Sequence, residues 1–160
     1  LCFPNQLVVR LVEERTGRPV PNIALTVTLF ATKKNDYHFG PELSDLSGII
    51  RVSRDWVERS IRGTANFFLM DYSSDLAHCR PDVRLEVMSP DEVQRAVAAM
   101  ELYGELSARD MGVAHSVADL RNASNGGFEP QGVTVRLDAP CEEVREVTIE
   151  LKPRSRPAGH

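Results

Sequence analysis

Apolar and polar residues alternate along much of this chain, the period-two pattern of strands that bury one face. Over residues 6–13, Leu7, Val9 and Leu11 share one face and Val8, Arg10 and Val12 the other, which predicts a first strand. A second is expected over 23–31, with Ile23, Leu25, Val27 and Leu29 inward and Ala24, Thr26 and Thr28 outward. Its β-branched content suits a pleated surface. Thr16-Gly17-Arg18-Pro19-Val20-Pro21-Asn22 joins the two as a turn, because its glycine accepts positive φ and its prolines fix φ and remove donors. Residues 37–43 read as a short strand broken by Gly40-Pro41, and Ser44-Asp45-Leu46-Ser47-Gly48 as a turn into a strand over 49–52. Further strands are expected over 65–70, 83–87, 133–137 and 146–151. The first of these carries Phe67 and Leu69 on one side and Phe68 and Met70 on the other, so both of its faces should be covered.

Helical spacing replaces alternation in two places. Ser53 can cap a helix over about 54–62, with Asp55 in the first turn, Trp56, Val57, Ser60 and Ile61 on one face and Gly63 as the stop. Ser89-Pro90-Asp91-Glu92 has the form of a capping box with proline at the first helical position. Val93, Ala96, Val97 and Met100 then recur at helical spacing up to Gly104, giving a helix over 90–103. Residues 105–131 hold no steady period and contain Gly112, Gly126, Gly127 and Pro130. They outrun the roughly 12–15 residues usual for a structureless loop, so a short helix is expected near 116–120. The sum is a mainly β chain: an antiparallel, Ig-like or transthyretin-like β-sandwich of seven to eight strands with two helical insertions. It is read as one domain over 1–153, followed by a frayed tail over 154–160.

Composition narrows the class. With 160 residues, 42% hydrophobic and 26% charged, the chain can bury a core, which excludes general disorder. Nineteen basic against 23 acidic side chains give a net charge of -4, without the basic footprint of a nucleic-acid binder. No apolar run approaches the roughly 20 residues of a membrane helix, so no membrane insertion is expected. Cys2, Cys79 and Cys141 form no Cys-x-x-Cys pair and read as small buried hydrophobes, with one disulfide among them left open by the sequence. The chain starts at Leu1 without a signal-peptide pattern and is expected to be a fragment or processed product.

Two stretches resemble a known family. The first strand, the Thr16-to-Asn22 turn and the second strand are similar to the opening of the carboxypeptidase regulatory-like and transthyretin-like bacterial sandwich domains. Ser44-Asp45-Leu46-Ser47-Gly48-Ile49 resembles their Thr/Ser-Asp-x-x-Gly-apolar turn, and the closing strand that ends at Pro153 also fits. The resemblance implies an accessory module of a larger surface, secreted or envelope protein. The helix at 89–103 and the segment 105–131 depart from that pattern.

Chemical motifs are sparse. The chain ends Arg156-Pro157-Ala158-Gly159-His160, not the Tyr-Arg-Gly-Ser of transthyretin-like ureide hydrolases. His38, His78, His115 and His160 lack the paired spacing of an intradiol-type iron site. No Gly-x-Ser-x-Gly elbow, phosphate-cradling glycine loop or His-Glu-x-x-His helix occurs. The richest cluster is Asp71-Tyr72-Ser73-Ser74-Asp75 followed by His78, Cys79 and Asp82, which makes Asp71, Asp75 and His78 candidate metal ligands in what otherwise reads as an ordinary turn. A lone Trp56 beside Val57 and Ile61 reads as a core anchor rather than a binding platform. No catalytic residue and no cofactor are assigned. The leading expectation is a non-catalytic domain for protein interaction or structural support, its partner a protein or a neighbouring domain. The alternatives are a hydrolase or metal-dependent enzyme built from the 71–82 loop and the 105–131 segment, and a small antagonist or chaperone-like binder. A free edge on the first or last strand would serve protein binding, and Glu142, Glu143, Glu146 and Glu150 read as a solvated strand face, with deterrence of unwanted pairing as the alternative.

Overall fold

A computed structural model describes residues 3–30, 36–67, 82–104, 116–137 and 143–155. Seven strands and three α-helices occur among them: β1 (Gln6–Glu13), β2 (Ala24–Phe30), β3 (Asp36–Leu43), β4 (Ile49–Ser53), α1 (Arg54–Phe67), β5 (Asp82–Val87), α2 (Pro90–Tyr103), α3 (Val117–Arg121), β6 (Gln131–Arg136) and β7 (Val144–Leu151). The strands form two sheets, one ordered β4-β1-β7 and the other β3-β2-β5-β6. Their inner faces share one core cluster, in which Leu7, Val9 and Leu11 of β1 join Leu25, Val27, Leu85 and Ile149. The protein is mainly β, and this two-sheet arrangement is compatible with a sandwich.

Four of the five strand pairings are antiparallel, whereas β1 and β7 run parallel with Gln6 opposite Val144 and Glu13 opposite Leu151. This corrects the wholly antiparallel expectation. It also makes β1 the centre of its sheet, not an edge, because β4 bonds its other side. The direction of a pairing between the two ends of the chain is set by long-range topology, to which alternation within one strand is blind.

Local sequence accounts for much of the rest. The turn before β4 is held by Asp45, whose Oδ1 accepts from the N–H groups of Ser47 and Ile49, both at 2.9 Å. Gly48 in the same turn has φ of 72°, and a Cβ there would lie 2.6 Å from the Leu11 carbonyl oxygen. That approach leaves room only for hydrogen. β3 runs unbroken through Gly40-Pro41, a cis peptide bond, with the irregularity absorbed by a register shift opposite Leu25 and Val27.

Three expectations change. α1 passes through Gly63 and takes in residues 65–67, where a strand start was expected; residues 68–70 lie outside the described residues. A single glycine weakens a helix by only about 1 kcal/mol relative to alanine, and Val57 and Ile61, both fully buried, dock this helix into the main core. Ala24, expected outward, is fully buried, because α2 and α3 pack there in a second cluster of Met88, Val93, Val97, Met100 and Leu120. Thr28, also expected outward, is buried. The short helix expected near 116–120 is present as α3 with its own capping box, and a single 3-10 turn over Asn125–Gly127 follows.

Candidate functional site

Four surface features bring chemistry-bearing groups together. The first is an open groove of about 450 Å³ between α2, α3 and the 3-10 turn, floored by Val93, Val97, Leu120 and Ala123 and rimmed by Gln94 and Arg121. Arg121 pairs with Glu101 across the helices. The groove is fixed to the two-sheet body by Asn125, which is 1% exposed. Its Oδ1 accepts from the Ala24 N–H at 2.7 Å, and its Nδ2 donates to the Ala24 and Met88 carbonyls at 2.9 and 2.8 Å. Asn22 adds a second tie, donating to the Asn122 carbonyl, while the Ser124 N–H donates to the Asn22 carbonyl.

A second feature crosses the outer face of the four-stranded sheet. His38, Thr28, Arg84 and Thr134 stand side by side in register on β3, β2, β5 and β6. His38 Nδ1 and the Thr28 hydroxyl are 2.9 Å apart, Arg84 donates from Nη1 to Thr134 Oγ1 at 3.3 Å, and its Nε donates to Glu86 at 2.5 Å. Arg84 is thus tied to Thr134 on the neighbouring strand and to Glu86 along its own, while His38 and Thr28 form a separate cross-strand pair.

Third, Trp56 is partly buried against the main core, as its core-anchor reading expected. Its ring packs edge-on against Phe39 with centroids 5.6 Å apart. It also lines a surface depression of about 350 Å³ with Gln6, Glu42, Arg51, Ser53 and Arg59. Both arginines there already face carboxylates, Arg51 that of Asp45 at 3.5 Å and Arg59 that of Asp55 at 3.1 Å.

The fourth feature is the edge of β7. Gln6 N–H donates to the Glu143 carbonyl and Glu14 N–H to the Leu151 carbonyl, so the odd-numbered backbone groups of β7 face β1. The even-numbered ones therefore face away, since successive residues of a strand alternate. At the far end these are covered: Gln131 Nε2 donates to the Glu150 carbonyl at 2.7 Å, and Glu129 N–H to the Lys152 carbonyl at 2.9 Å. Between Val144 and Thr148, the outward backbone groups of Val144, Glu146 and Thr148 have no backbone partner among the described residues. The even-numbered side chains are exposed on the outer face, whereas Val147 is half-buried and packs on the main core. Arg145 points inward as well, and its Nε is buried without a hydrogen-bond partner among the described residues.

The predicted metal candidates Asp71, Asp75 and His78 lie outside the described residues, as do Cys2, Cys79 and Cys141. Asp82 stands at the start of β5 opposite Arg136. Among the described residues, no three His, Cys, Asp or Glu side chains gather as a metal site, and no helix is long and apolar enough to cross a membrane. The groove and its Asn125 clamp were absent from the sequence reading. Ser116-Val117-Ala118-Asp119 has the Ser-x-x-Asp form of a capping box and was the available signal for α3.

No family model matches the chain, and no curated protein matches it. A 9R-lipoxygenase from Cyanothece PCC8801 is a structural neighbour at 13% identity and a TM-score of 0.39, covering 92% of this chain. The chain spans 16% of that enzyme's length.

Proposed function

We propose that this chain is a non-catalytic β-sandwich accessory module that binds another protein segment by adding a strand to β7. One observation carries the reading: a stretch of β7 whose outward backbone groups are unpaired among the described residues, on a strand otherwise anchored by parallel pairing to β1. Strand addition draws its affinity from such main-chain groups and its specificity from alternate side chains. The resemblance of the Thr16-to-Asn22 and Ser44-to-Ile49 turns to carboxypeptidase regulatory-like and transthyretin-like domains supports an accessory role and an Ig-like version of the two-sheet body. The partner is a neighbouring module of the same chain or a separate protein.

The test is selection of extended peptides from a displayed library against the folded chain, followed by binding to the variants Glu146→Pro and Thr148→Pro. Proline is tolerated on an edge where the N–H faces solvent, but it abolishes the donor that an added strand needs. Selected peptides should lose at least tenfold in affinity for both variants while each variant keeps a melting temperature within a few degrees. Peptides that bind both variants as tightly as the parent chain would refute the reading.

A further inference from the structure

We infer that the segment accepted by β7 is a short amphipathic strand of about five residues, basic at the positions beside the outer face and apolar at those beside the inner face. This rests on the strand-addition reading and names the chemistry of its partner. The length follows from the free stretch, which begins at Val144 and ends where Gln131 occupies the Glu150 carbonyl.

The charge follows from the two faces of β7. On the outer face Glu146 and Glu150 alternate with Val144 and Thr148, all exposed. Arg10 on β1 reaches Glu146 at 3.4 Å, but it lies on the side of β7 already paired, and no cation among the described residues pairs with Glu150. Side chains directly opposite one another in paired strands sit about 5 Å apart, where opposite charges attract and like charges repel. An added strand with Lys or Arg on this face satisfies the carboxylates, and one with Asp or Glu does not. On the inner face the neighbours are half-buried Val147 and buried Ile149, so an aliphatic side chain there covers apolar area.

The experiment uses the folded chain and two acetylated hexapeptides, one alternating Lys with Val and one alternating Glu with Val. Binding is read by titration at low and high salt and by amide hydrogen exchange at Glu146 and Thr148. The Lys–Val peptide should bind at least tenfold more tightly than the Glu–Val peptide, protect both amides and weaken with salt. The double variant E146K/E150K, checked for an unchanged melting temperature, should reverse the preference. Equal binding of both peptides with protection of both amides would overturn the basic partner while leaving strand addition intact. Failure of both peptides to protect either amide, in the parent chain and in the double variant, would overturn both.

Discussion

Asn125 serves three backbone groups with one side chain, at the point where β2 and the residue after β5 lose their regular ladder. Replacing it with alanine orphans the Ala24 N–H and the Met88 carbonyl in a buried site. Each stranded group costs about 1–3 kcal/mol, so Asn125→Ala should lower stability by about 2–4 kcal/mol. Urea unfolding checks this as a lower midpoint at unchanged slope; a loss below about 1 kcal/mol would mean that the apolar cluster alone holds α2 and α3. Asp45 illustrates a weaker, pH-dependent tie. The Ile49 N–H holds its carboxyl below the ordinary 3.8; burial is the next largest effect and opposes it, and the Ser47 N–H and then Arg51 lower it further. A carboxyl whose folded value is lowered contributes fully above its unfolded value and loses that contribution as pH falls through the folded one. The stability difference between the parent chain and Asp45→Asn should thus be constant at neutral pH and shrink as pH drops below 3.8. Because the side chain is half-exposed, the neutral-pH difference should stay near or below about 1 kcal/mol.

The elements show why some of the fold was legible and some was not. Strands β5 and β7 carry alternation strong enough to mark which face is buried, and Ser89 and Glu92 form both halves of the capping box that their spacing announced. Ser89→Ala should cost about 1 kcal/mol, read from the urea midpoint, and more than about 2 kcal/mol would point to a role beyond the cap. Residues 65–67 belong to a helix despite their apolar run, since a short apolar run fits strand and buried helix equally and the docking of Val57 and Ile61 decides between them. The burial of Ala24 depends on α2 and α3, which arrive more than sixty residues later in the chain, so no local pattern could announce it. The same holds for the clamp at Asn125, whose partners are 101 and 37 residues away. The candidate edge was legible only as a role for the last strand; the parity of its backbone groups required the register with β1.

At the scale of the whole molecule, the two sheets leave different sides differently finished. Trp56 of α1 packs on Phe39 of β3, whereas among the described residues β7 is covered by residues 127–131 only towards its end. An open edge risks pairing with another copy of the chain, and exposed acidic residues are a standard defence. Removing them with Glu146→Thr and Glu150→Thr should therefore promote self-association, seen in sedimentation velocity as a concentration-dependent dimer that the parent chain lacks. Unchanged sedimentation would mean that the acids do not guard this edge. The measurement that bears most directly on the central claim is native-state hydrogen exchange along β7. With the odd-numbered groups bonded to β1 and the even-numbered ones open, the amides of Arg145, Val147 and Ile149 should be strongly protected and those of Glu146 and Thr148 should exchange close to unprotected rates. Uniform protection from Arg145 to Ile149 would show that another segment already occupies the edge and would contradict the account.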